Sequence, residues 1–172
     1  MAAFKIEPVR SADRKWIHAF IKDRWSDHFV VSRGKIHYPE ELSGFIAKIA
    51  EHYSGLVTFR IDSGECEIVT LDSCVENIGI GTALIRRVIE TARAKKCSRI
   101  WLITTNDNKR AIEFYKKRGF GMVALYRDAV LAARKLKPSI PEFSDEGLPI
   151  KDEIEFEYSL ESTVSGQEGA IA

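Results

Sequence analysis

Neither a charge excess of one sign nor a long apolar run marks this sequence. Lysine and arginine number 26 against 25 aspartates and glutamates, a formal net charge of +1. The broad basic excess that usually accompanies nucleic-acid binding is therefore missing, and no nucleic-acid partner is expected. The apolar runs fall far short of the ~20 residues that cross a bilayer, so no membrane role is expected. The opening MAAFKIEPVR lacks the basic and apolar regions of a secretory signal, and export is not expected. Cysteine is scarce: Cys66, Cys74 and Cys97 form an odd set without a CxxC pair, which suits reduced thiols in a cytoplasmic protein. His18, His28, His37 and His52 have no metal-ligand spacing, so no metal is expected. No internal repeat is visible.

What is present fits an ordinary globular chain. With 172 residues, 45% hydrophobic and 30% charged, it is long enough for one domain with a real core. Phe4 to Val9 reads as a first strand, and Ser11 or Asp13 as the cap of a helix carrying Trp16, Ile17, Phe20, Ile21 and Trp25 on one face. FVVSRGKIHYPEEL, broken by Gly34 and Pro39, reads as a loop. Three short strands follow at about Phe45–Ala50, Leu56–Ile61 and Cys66–Leu71, separated by turn residues and expected to pair antiparallel. Helix, strand, helix and strand come next, so a parallel crossover joins an antiparallel meander. Ile154, Phe156, Tyr158 and Leu160 alternate with Glu153, Glu155, Glu157 and Ser159 in a last strand. That strand is expected to lie at an edge, where it could pair a homodimer, with its glutamate row facing solvent. The expectation is a single domain over 1–160, with a long loop at about 134–152 and a disordered tail over 161–172.

The chemistry concentrates in VENIGIGTALI, Val75 to Ile85. A glycine-rich loop that feeds a helix is an anion site, because first-turn N–H groups are unpaired and the dipole is positive there. A nucleotide P-loop would need a lysine after its last glycine, and Gly81 is followed by Thr82. A dinucleotide fingerprint would need a small residue at 84, which is leucine, and its crossover unit would open the fold.

A third device fits. ENIGIGTALI resembles the Q/R-x-x-G-x-G/A pyrophosphate loop of the GNAT superfamily of acetyl-CoA-dependent N-acetyltransferases. Downstream, NKRAIEFYKKRGF matches that family's N-x-x-A-x-x-F-Y-x-x-x-G-F signature through Asn108, Ala111, Phe114, Tyr115, Gly119 and Phe120. The two occur in the order the family requires, separated by one helix and one strand. The resemblance implies an α/β (α+β) fold of GNAT type: a mixed, mostly antiparallel sheet flanked by helices and splayed at the acyl-CoA site.

It also implies roles. Asn77, Ile78, Gly79, Ile80, Gly81 and Thr82 would hold the pyrophosphate of acetyl-CoA. Leu71 would pair with the pantetheine by main chain, Asn108 would bond that arm, and Tyr115 would protonate the departing thiolate. A substrate amine would attack directly, with a backbone N–H at a strand irregularity facing the oxyanion. Glu67 is the first choice of base, with Asp72 or a water chain as rivals. Arg33, His37 and Trp101 are acceptor-side candidates. Arg134, Lys135 and Lys137 could meet an acidic acceptor or the CoA 3′-phosphate. One departure is Glu76, where the family carries Gln or Arg; its carboxylate would weaken cofactor binding if it faced the phosphates. The resulting expectation is an N-acetyltransferase acting on a small-molecule amine, the alternatives being a peptide or protein N-acetyltransferase and a non-catalytic acyl-CoA sensor.

Overall fold

The chain runs through β1 (Lys5–Pro8), α1 (Arg14–Arg24), β2 (Val30–Ser32), β3 (Lys35–His37), β4 (Ser43–Ile49), β5 (His52–Asp62) and β6 (Glu65–Ser73). It continues through α2 (Ile80–Ala94), β7 (Arg99–Thr105), α3 (Lys109–Lys117), β8 (Gly121–Tyr126), α4 (Ala129–Leu136) and β9 (Glu153–Ser159). This is a computed structural model that describes residues 3–161, so the expected tail beyond Glu161 lies outside the described residues. Seven strands form one sheet in the order β1-β4-β5-β6-β7-β9-β8. Only β6 and β7 pair in parallel; the other neighbours are antiparallel.

Helical periodicity explains the layers. On α2, Leu84, Ile85, Val88 and Ala92 share one buried face and pack on Val57, Cys66, Ile68 and Ile100. Across the sheet, Ile17 and Ile21 of α1 pack on Ile46 and Leu56, which alternate with the residues beneath α2. Each aliphatic side chain fully buried in these layers contributes about 1.5–3 kcal/mol. Among the described residues, no helix is long and apolar enough to cross a membrane.

The sheet opens at its parallel step. β6 and β7 pair from Glu65↔Arg99 to Ile68↔Leu102, yet continue to Ser73 and Thr105. The opening begins at a bulge: Thr58 faces Thr70 and Phe59 faces Ile68, which leaves Val69 without a β5 partner. An extra residue of this kind bends its strand away from the ladder.

Several expectations are corrected. FVVSRGKIHYPEEL is not a loop: Val30↔His37, Val31↔Ile36 and Ser32↔Lys35 pair as a hairpin. Its turn residues Arg33 and Gly34 have φ of 49° and 74°, the geometry of a tight hairpin turn without the Asn-Gly signal that normally announces one. Asp13 does not cap α1 with its side chain; Oδ2 accepts from Arg10 N and Oδ1 from Tyr53 Oη, both at 2.8 Å. The basic residues before Pro138 belong to α4 and its exit, and the long loop starts only after Leu136. Arg134 pins that loop by donating to the carbonyls of Ile140, Pro141 and Ile150. β9 is no edge: β7 and β8 flank it, so the homodimer loses the edge on which it was argued. Its glutamate row is not a solvent face either, since Glu153 and Glu155 are buried.

Candidate active site

Two cavities lie along the open part of the sheet and share one wall residue, Asn108. The larger holds about 560 Å³ between the end of β6, the start of α2 and one face of α3. Asn77 and Gly79 sit at φ 62° and 89°, the left-handed region where glycine is unstrained. The turn lies in the cavity wall, and the first N–H groups of α2 that follow it have no intrahelical acceptor, an arrangement chemically suited to an anion. A methyl on Gly81 would stand 3.0 Å from the Phe114 ring, so the second glycine is set by close packing of α2 on α3.

Leu71, Asn77, Gly79, Ile80, Gly81, Thr82, Asn108 and Tyr115 all line this cavity. Ile78 does not; its side chain packs against the core. Asn108 caps α3, accepting from Ala111 N at 3.1 Å. Tyr115 is buried, and that burial, reinforced by the Asp72 carboxylate, raises its phenol well above the ordinary value. Asp72 accepts from Trp25 Nε1 at 2.9 Å, and burial pushes its carboxyl up.

Sequence reasoning missed the cations of this cavity. Arg24, Arg110 and Arg118 all contribute to its wall. Arg110 and Arg118 flank Phe114 at intervals of four, a spacing that puts all three on one helix face. Arg118 donates to Thr82 Oγ1 at 2.7 and 3.0 Å and lies 3.5 Å over the Phe114 ring, locking α3 to the start of α2. Glu76 is held by Arg110 Nη2 at 2.6 Å.

The smaller cavity, about 220 Å³, lies beyond Asn108 among Trp25, the hairpin strand β2, the parted strands, α4 and Glu153. Ser32 and the bulge residue Val69 are in its wall. Glu67 is not, although it is only 3% exposed. It sits directly behind Ser32, whose Oγ donates to Glu67 Oε1 at 2.7 Å, while Arg60 Nη1 donates to Oε2 at 3.3 Å. His37 Nε2 is buried 4.0 Å from the same carboxylate with no hydrogen-bond partner among the described residues. Burial lowers the His37 pKa, against the pull of Glu67, and favours the neutral ring.

Arg33, His37 and Trp101 line neither cavity. Arg33 stacks 3.3 Å over Tyr126 with Nη1 3.8 Å from Glu153 Oε2, and Trp101 lies beside Glu67 in the sheet register. Arg134, Lys135 and Lys137 are absent from the larger cavity. Lys137 instead reaches the smaller one, donating to Trp25 O at 2.6 Å and Phe29 O at 2.9 Å.

Known proteins share this fold. A sequence model described as "Acetyltransferase (GNAT) family" matches residues 9–120. Two Bacillus subtilis (strain 168) proteins, the uncharacterized YdhI and YxbD, are 46% and 40% identical over 152 and 151 residues. They cover 88% and 87% of this chain and 95% and 94% of their own. Among solved structures, an IAA acetyltransferase from Bacillus cereus ATCC 14579 superposes with a TM-score of 0.70 at 19% identity, over 92% of this chain and 100% of its own. A Bacillus subtilis acetyltransferase in complex with CoA gives 0.64 at 15% identity, over 94% and 100%.

Proposed function

The chain belongs to the acetyltransferase (GNAT) family and is an acyltransferase; from that premise we propose that it transfers an acetyl group from acetyl-CoA to a primary amine on a small molecule. The observation that carries this reading is the meeting of two unlike cavities at Asn108, one polar and set against the start of α2, the other small and mostly apolar. The larger suits a phosphate-bearing cofactor: the N–H groups at the start of α2 and the Arg118 guanidinium answer its negative charge, while Arg110 is engaged by Glu76. Bound there, acetyl-CoA supplies an acyl thioester to the junction. The smaller cavity, at about 220 Å³ and walled by α4, favours a small acceptor over an extended peptide.

Each protein group has a defined task in this proposal. Tyr115 holds a proton on Oη at neutral pH, because its burial opposes ionisation, and can give it to a departing thiolate. Ser32 is in the wall of the smaller cavity and its Oγ donates to Glu67, so the two can act as a relay in which Ser32 Oγ accepts the proton the amine must lose and passes its own to Glu67. Glu67 thereby acts as a base through Ser32 rather than by direct contact. The Val69 N–H, at the bulge, is the donor assigned to developing negative charge. Glu67→Gln should lower kcat and remove the acidic limb of the pH–rate profile; a wild-type-shaped profile would sink the relay.

Saturating acetyl-CoA tests the reading as a whole. At about a hundred times Kd it should stabilise the fold by about 2.7 kcal/mol, a Tm rise of about 5–10 °C for a chain this size. No rise would overturn the proposal. Free-thiol release is then followed across small amines and peptides, and release with peptides alone would overturn the small-molecule acceptor.

A further inference from the structure

Glu153 is a buried carboxyl whose ion pair with Arg33 is long and whose Oε2 is left without a hydrogen bond among the described residues. It is 3% exposed, and its side chain lines the smaller cavity. Arg33 Nη1 stands 3.8 Å away, beyond hydrogen-bond reach, and the Arg33 guanidinium is already stacked 3.3 Å over Tyr126. Burial pushes the Glu153 carboxyl up, against the opposing pull of the Arg33 guanidinium and backbone, so the pair with Arg33 does not offset the cost of desolvation. The walls around it are largely apolar, with Val30, Ile68, Val69, Ile103 and Val130 among them. Lys137, the cation in the same wall, is engaged by the Trp25 and Phe29 carbonyls. What this wall leaves open is the accepting capacity of the Glu153 carboxyl, which a cationic N–H donor would satisfy.

We propose that Glu153 is the ammonium-recognising residue of the acceptor site, and that the acceptor is a compact amine with an apolar body that enters in its protonated form. This deepens the small-amine reading and rests on it. The apolar walls take the body, Glu153 takes the charge, and Arg33 is the internal cation that the ammonium displaces. A cavity of about 220 Å³ fits a short alkyl chain or one aromatic system. The hydrophobic walls alone would bind an alcohol of the same shape nearly as well, so the charge preference isolates Glu153.

The test titrates the full chain with butylamine, isoamylamine, phenethylamine and tryptamine, each beside its matching alcohol, by ligand-observed NMR. Wild type, Glu153→Gln and Arg33→Ala are compared, with the acetyl-CoA thermal shift measured on all three. At least one amine should bind wild type about tenfold or more tighter than its alcohol, the strength of a charge-assisted hydrogen bond. That ratio should fall to about one in Glu153→Gln and rise in Arg33→Ala, which loses the competing cation. Equal affinities for every pair in wild type, or a ratio that survives Glu153→Gln, would overturn the proposal. Should Glu153→Gln fail to fold, Arg33→Ala decides, and an unchanged ratio there overturns it. A missing acetyl-CoA shift in wild type would instead count against acetyl transfer, because the amine-to-alcohol ratio is read without it.

Discussion

Tyr115 is enclosed by the Phe114 and Phe120 rings, whose centroids lie 5.2 and 5.3 Å from its own. Its phenol is raised by burial and by Asp72, so it keeps its proton to higher pH than a free tyrosine. Rate loss from its ionisation should therefore begin only above about pH 10. Tyr115→Phe is expected to lower kcat by about a hundredfold or more with the alkaline side of the profile unchanged below that pH; steady-state kinetics across pH checks both. At the cavity mouth, Glu76 does not stand free among the phosphate donors, because Arg110 holds it at 2.6 Å. Glu76→Gln releases that guanidinium. It should tighten acetyl-CoA by about two- to fivefold at low salt, and less at high salt, as expected of an exposed pair. An unchanged or weaker Kd at low salt would refute this.

At the scale of elements, the loop before α2 contains two glycines with different duties. Gly79 has φ of 89° and open space where a methyl would go, whereas Gly81 has Phe114 at 3.0 Å. Gly79→Ala should destabilise by about 1 kcal/mol through the left-handed backbone alone. Gly81→Ala gains helix propensity but displaces Phe114 and, through the stacked guanidinium, Arg118. Its stability should stay near wild type while acetyl-CoA affinity falls. Urea denaturation and isothermal titration of the two variants separate these effects, and matching losses in both would contradict the division. α2 and α3 were readable because each has a strong apolar period and a clear boundary: Gly79 before α2, Asn108 and Gly119 around α3. The β2–β3 hairpin was not, since three-residue strands joined by Arg33 and Gly34 carry almost no periodic signal.

Across the whole molecule, Lys137 ties the exit of α4 to the segment after α1. Its ammonium bonds to Trp25 O and Phe29 O, more than a hundred residues earlier in the chain. Those contacts hold one side of the smaller cavity closed. Lys137→Met leaves the two carbonyls without their donor, so the chain should lose about 2 kcal/mol of stability. The KM for the acceptor should rise more than kcat falls, since the wall moves while the proton donors stay. A chemical-denaturation midpoint equal to wild type would argue against the tie.

The sequence by itself determined the fold class, the place of the crossover and the glycine turn before α2, because these depend on local periodicity and on backbone shapes that glycine and asparagine set within a few residues. Tertiary structure alone decided the acceptor side. Whether Glu67, Glu153 and Lys137 are exposed or buried depends on strand order, on the Val69 bulge and on a hairpin folding over the sheet. β9 illustrates the reason: alternation announces two faces, but only Arg99 and Tyr126 on the flanking strands and Arg33 from the hairpin cover its charged face. Burial is a property of neighbours distant in the chain, and so is the chemistry it imposes on a carboxylate.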